Sequence, residues 1–411
     1  MNRRRRRSNP FTIFILSVLV IGGIYVNQVV IPQTPPLFMP TPTPTRSPDA
    51  YLMEADQLAA EGKYAQAIDL YEEALLITPD NPGMYISLAR LQIYISRFEE
   101  AIDNAGNALV LNPGNSQAMA LRGYALGRTG DYITAESVLQ EAIAADPNNP
   151  LPYAYMAEIL ALRSQTTTGD AEMLNRAIEF SRKALELGSN LLEAHRARGI
   201  VLELTTNYEE AVAEFEAAVA LNPYIADLHI YLGKNYRTIG EDAKAIREFN
   251  NAITLNPSDP EPYAALSRTY AKLGEYANSV SFGQQAINYN PTDPYLYGNL
   301  GVVYYRMGDY PRAIKMLAIA VQGGTAVTGE TVEGLALDYW PVSEYYYMYG
   351  LALARQGRCG EALPIAQAVA EGVSLEEFSV SNAQEIVNIC QQVADGDLEM
   401  TEPAETETPQ P

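Results

Sequence analysis

The stretch YIADLHIYLGKNYRTIGEDAKAIREFNNAITLNP, residues 224–257, carries the whole fold argument. His229, Leu232, Gly233 and Tyr236 stand at i, i+3, i+4 and i+7, which puts them on one face of a helix. Gly240 follows, where a residue free to adopt the left-handed conformation ends that helix. Ala245, Phe249 and Ala252 then set the apolar face of a second helix, with Ala245 at a close crossing. Pro257 stops this second helix and opens the next unit.

The same punctuation recurs along the chain. Pro79, Pro113 and Pro147 follow one another at a constant interval, and Pro223, Pro257 and Pro291 follow at the same one. The gap from Pro147 to Pro223 holds two such units and a short insert. A fixed period of about 34 residues is the mark of stacked helix-turn-helix units. The preceding unit reads Gly199, Leu202, Tyr208, Ala211, Phe215, Ala218, Pro223, and the first reads Leu58, Gly62, Ala67, Tyr71, Ala74, Pro79. On these residues the chain resembles the tetratricopeptide repeat family, in a membrane-anchored, bacterial form. The resemblance covers about nine units, from roughly Pro48 to Val369. It implies an all-α, right-handed solenoid, in which each unit buries its apolar face against its neighbours.

Two inserts interrupt the period. Residues 164–175, SQTTTGDAEMLN, fall in the turn of the fourth unit and are expected to lengthen or loop it. Residues 323–342 follow the eighth unit, and the β-branched residues around Thr328-Gly329-Glu330 predict a small hairpin. The solenoid is placed at residues 49–375. A capping helix is expected over 376–395, its polar outer face stopping end-to-end addition and favouring a monomer. Residues 396–411 are acidic and disordered by composition.

The N-terminus is of another kind. Residues 1–10 hold a block of five arginines, Arg3 to Arg7. Residues 11–31 are free of charge and long enough for a membrane-spanning helix. The basic block belongs on the cytoplasmic side, which places the repeats outside. A cleaved signal peptide is the competing reading, but the apolar run extends past the small residues Val20 and Gly22. Residues 32–48 are Pro/Thr-rich and predict an extended linker.

Composition excludes several functions. The formal net charge is −22, and without Arg3 to Arg7, 23 basic residues face 50 acidic ones. So acidic a body is repelled by nucleic-acid phosphates. Two histidines and two cysteines leave no four-ligand metal site, and neither a phosphate loop nor a nucleophile elbow is present. No cofactor, no metal and no catalytic residue is expected. His195 and His229 stand one repeat apart, at the position that Tyr153, Tyr263 and Tyr297 hold in other units. A packing site for a flat ring explains them better than a metal pair. Cys359 and Cys390 are read as a disulfide at the end of the array, against the alternative of two buried thiols.

Function is expected in the concave groove that the family lines with its first helices. By that register the lining includes Arg90, Tyr94, Tyr124, Arg128, Glu158, Lys234, Arg237, Arg268, Lys272, Tyr305, Arg306 and Arg355. Lys234, Arg237 and Arg268 are expected to clamp an extended peptide with acidic side chains. Arg90, Tyr124 and Glu158 do not match the Lys and Asn positions of the carboxylate clamp that some members use. A self-assembling structural protein is the alternative reading.

Overall fold

A computed structural model describes residues 9–26, 28, 47–166 and 171–396. The chain divides into two compact units, Met1–Tyr51 and Leu52–Pro411. In the first, helix α1 (Pro10–Tyr25) is capped by Asn9, whose side chain accepts from the Phe11 amide. All its residues are exposed, and none is charged. At 16 residues it is about 24 Å long. No helix among the described residues is long and apolar enough to cross a membrane. Of the expected span of 11–31, residues 27 and 29–31 lie outside the described residues, as do residues 32–46 of the linker and 397–411 of the tail.

The second unit is built of helix pairs. They are α2 (Pro48–Ala60) with α3 (Tyr64–Ile77), α4 (Pro82–Tyr94) with α5 (Phe98–Leu111), and α6 (Ser116–Arg128) with α7 (Tyr132–Ala145). Next come α8 (Pro150–Thr166) with α9 (Ala171–Leu187), α10 (Leu192–Leu204) with α11 (Tyr208–Leu221), and α12 (Ala226–Thr238) with α13 (Asp242–Leu255). Then follow α14 (Pro260–Lys272) with α15 (Tyr276–Tyr289), α16 (Pro294–Arg306) with α17 (Tyr310–Gln322), and α18 (Val342–Arg355) with α19 (Cys359–Gly372). Helix α20 (Glu377–Asp395) packs on the last pair.

The landmarks of the period have physical counterparts. The crossing alanines Ala67, Ala101, Ala135, Ala211, Ala245 and Ala313 have no exposed surface. A Cβ built on Gly233 would lie 2.6 Å from the Phe249 ring, so that helix crossing needs glycine. The turn inside the second and fifth pairs departs from the glycine rule: Ser96 and Thr206 hold φ of 60° and 61° there. The insert in the fourth pair lengthens both helices, to 17 residues each against 13 or 14 in the other pairs. After α17, strand β1 (Gly324–Thr325) pairs antiparallel with β2 (Thr331–Val332). Cys359 and Cys390 are disulfide-bonded, tying α20 to α19.

Candidate functional site

The expected groove lining does not form one surface. In the first half of the array the inner face is filled by its own side chains. Tyr124 is only 1% exposed and stacks on Tyr155, ring centroids 4.3 Å apart. Arg196 donates from Nε to Glu158 at 2.8 Å, both buried, and its guanidinium lies over the Tyr124 ring. Arg128 donates to the Tyr124 hydroxyl at 2.8 Å and covers the Phe98 ring. Tyr94 donates to Glu193 at 3.0 Å, from a helix three pairs earlier in the chain. Burial pushes the hydroxyls of Tyr94 and Tyr155 well above the usual phenol range and raises that of Tyr124. Tyr124 and Glu158 are therefore interior residues, a correction to the groove register.

The cause is a closure that the repeat period does not report. The turn of the first pair meets the start of the sixth. Tyr64 donates from its hydroxyl to Asn222 at 2.9 Å, and Gly62 faces the Tyr224 ring with no room for a Cβ. Arg90 is half-buried beside this core and lines a separate polar cavity of about 680 Å³ with Asn112, Asn115 and Gln117.

Four of the expected residues do meet. Lys234 and Arg237 on α12, Arg268 on α14 and Arg306 on α16 line one cavity of about 750 Å³. Lys234 and Arg268 hold the same position one period apart on successive first helices, and Arg237 and Arg306 stand three and four residues beyond that position, on the same helix face. Lys272 lies apart: its ammonium holds Asp242 at 2.9 Å and the Arg237 carbonyl at 3.1 Å, closing a helix end. Tyr305 packs on Tyr310, ring centroids 5.5 Å apart, outside the cavity lining.

The cavity is not a basic patch. Glu203, Glu261, Asp293 and Glu344 line it with the four cations. Glu261 accepts from Lys234 at 3.0 Å and from Arg268 at 3.4 Å. Burial alone would raise the Glu261 carboxyl, but these two cations outweigh it and hold it below the usual range. Arg306 pairs with Glu344 at 3.4 Å. These acids escaped the sequence reading because Glu261 and Glu344 sit in the first turns of the next first helices, and Asp293 caps α16.

Arg237 is different. Among the described residues no carboxylate lies within ion-pair distance of it; its one contact is a long 3.5 Å bond to the Ala265 carbonyl. Burial and the neighbouring Arg268 cation lower it to about 10. It still carries its charge near neutral pH, with donors to spare. The other wall is aromatic: Tyr295 and Trp340 are exposed by 43% and 70%. So the site offers one unpaired guanidinium, compensated charges and two open rings. No group of three or more potential metal ligands occurs among the described residues.

Comparisons agree with the architecture. Tetratricopeptide repeat models match residues 58–103, 86–150, 196–260 and 295–330, and a further repeat model of the same kind matches 268–308, together more than half of the chain. A small glutamine-rich tetratricopeptide repeat-containing protein of Mycosarcoma maydis is 30% identical over 133 residues, 30% of this chain and 38% of that protein. A tetratricopeptide repeat and J domain-containing co-chaperone of Cryptococcus neoformans is 27% identical over 150 residues, 36% of this chain and 29% of that protein. The chain thus spans less than half the length of these relatives. The crystal structure of a tetratricopeptide repeat protein from Parabacteroides merdae aligns with 63% of this chain and 99% of its own, at 14% identity and a TM-score of 0.39. With nine helix pairs among the described residues and repeat models across most of them, the chain belongs to the tetratricopeptide repeat family.

Proposed function

We propose that the chain is a non-enzymatic interaction module that binds an extended peptide of a protein partner in the cavity between α12 and α18. The observation that carries this reading is Arg237, a charged, half-buried donor group with no carboxylate within ion-pair distance among the described residues, beside Lys234, Arg268 and Arg306, whose charges Glu261 and Glu344 already hold. An acidic side chain of the partner supplies the missing acceptor, a charge-assisted pair of the stronger kind. Tyr124 and Glu158 of the first half are buried, and Arg128 shares only a smaller cavity of about 400 Å³ with Lys234 and Glu261, so the binding is placed in the larger one. Two of the relatives are, by name, co-chaperones, which fits a protein partner.

The apolar, uncharged α1 behind five arginines supports an anchor in a membrane, with the repeats on the extracytoplasmic side. The test is a capture experiment from solubilised membranes with the full chain as bait, alongside Arg237→Glu. A partner held by the first and lost by the second supports the reading. Equal capture by both would refute the site. No capture, with the bait running as a discrete oligomer, would favour the self-assembling alternative.

A further inference from the structure

The segment between the hairpin and α18 is strapped down along its length. Leu335 donates its amide to Ala320 at 2.8 Å, and the Tyr346 hydroxyl donates to the Leu335 carbonyl at 2.7 Å. Leu337 rests against Gly372, where a Cβ would come within 2.6 Å of it. The Trp340 amide donates to the Glu376 carboxylate at the start of α20, at 3.1 Å, and Pro341 leads directly into α18. Yet the indole of Trp340 is left 70% exposed, on the wall of the cavity that Arg237 also lines. A backbone fixed at several points that presents a bare indole is a shelf, and an exposed ring that size buries much apolar area when covered. The repeat models end at residue 330, so Trp340 belongs to the chain's own insert.

Resting on the peptide-binding reading, we infer that Trp340 is a specificity residue: it stacks an apolar ring of the bound peptide, proline or aromatic, at a fixed spacing from the carboxylate that Arg237 holds. A cation is the poorer occupant of that end, because Arg306 stands there with Glu344 already on it. A ring costs little conformational entropy to fix, and the flat open shelf suits it better than a branched chain.

Trp340 is the chain's one tryptophan, so its emission reports the shelf directly. The experiment selects from a randomised peptide display library on the full chain in detergent, with Arg237→Glu, Trp340→Ala and Trp340→Phe in parallel. The expected result is enrichment of an acidic residue with a ring residue at one spacing. Arg237→Glu loses the whole enrichment, Trp340→Ala loses the ring preference alone, and Trp340→Phe keeps both. The recovered peptides blue-shift the Trp340 emission of the unsubstituted chain and bind Trp340→Ala at least tenfold more weakly. Enrichment lost in Arg237→Glu but carrying no ring preference, or a Lys or Arg at the ring position, overturns the inference and leaves the peptide-binding reading standing. No enrichment sensitive to Arg237→Glu overturns both.

Discussion

His229 holds Glu248 through Nδ1 at 2.8 Å while its Nε2 faces the Pro223 carbonyl at 2.9 Å. A carboxylate and a carbonyl are both acceptors, so both contacts are satisfied together when both ring nitrogens carry protons, that is, in the imidazolium form. His195 repeats the arrangement one unit earlier with Glu214 at 2.6 Å and the Ser189 carbonyl at 2.9 Å. In other units the phenols of Tyr153, Tyr263 and Tyr297 donate to the carbonyl of the closing proline instead. The ring position is thus a stitch between one unit's first helix and the preceding turn, and histidine adds a second stitch to its own second helix.

The stitch makes stability depend on pH. Burial opposes the charge of His229, but the Glu248 hydrogen bond, the Pro223 carbonyl and the Glu248 charge outweigh it and raise the imidazole above 6.5. Its contribution is complete below that value and is lost as pH rises through the raised one. Glu248 is held below 4.5, first by the His229 hydrogen bond, so its contribution is complete above 4.5 and is lost as pH falls through the lowered one. The pair therefore stabilises most between these limits. Calorimetry should show the melting temperature falling from pH 6 to pH 8, with a shallower fall in His229→Gln and a cost of about 2 kcal/mol at pH 6. An equal slope in the variant would refute the imidazolium.

The closure of the first half gives a sharper test. Gly62 has φ of 75°, and a Cβ there would lie 2.3 Å from the Tyr224 ring. Gly62→Ala thus meets both a left-handed backbone and a backing ring, which costs about 2 kcal/mol or more. The Tyr64–Asn222 bond should break with it. Hydrogen exchange should then rise at the start of α12 as well as around residue 62. A rise confined to the first pair would mean that the closure is not formed.

The repeat architecture was legible because each unit prints its own punctuation. Pro79, Gly130 or Ala245 report contacts with immediate neighbours, and those are the contacts that stack the pairs. Tyr64–Asn222 and Tyr94–Glu193 join residues 158 and 99 positions apart, and no period encodes them. That is why Tyr124 and Glu158 read as open lining and are interior. The cavity was half legible: Lys234, Arg237, Arg268 and Arg306 follow the register, but Glu261, Glu344 and Asp293 read only as helix starts. Glu214 and Glu248 were missed although a signal existed, since each follows its histidine at the same offset, on the second helix of the same unit.

The buried pair Glu158–Arg196 should behave asymmetrically. Burial raises the Glu158 carboxyl despite Arg196, and that cost is what the guanidinium offsets. Glu158→Ala strands a guanidinium that is only 4% exposed, at a cost of about 3–5 kcal/mol. Replacing both together, Glu158→Leu with Arg196→Met, should cost far less, because no charge is left buried. Urea unfolding of the single and double variants distinguishes the cases. Equal losses would show that packing on the Tyr124 ring, and not charge, holds the pair.

The Cys359–Cys390 bond closes 31 residues of chain at the open end of the array. In a stack whose units touch only their neighbours, the last element has one face to lean on and frays first. Helix α20 leans through Ala383, Ile386 and Ile389, and Ile386 fits where Gly350 leaves space. A closed loop of this length is worth about 3–4 kcal/mol against the unfolded chain. Reduction, or Cys359→Ser with Cys390→Ser, should therefore raise hydrogen exchange in α20 and leave α6 to α12 unchanged. Because Glu376 at the start of α20 holds the Trp340 amide, freeing the cap should also loosen the shelf and red-shift the Trp340 emission. Exchange that rises in α20 with the emission unmoved would show that the strap at Leu335 and Leu337 fixes the indole without help from the cap.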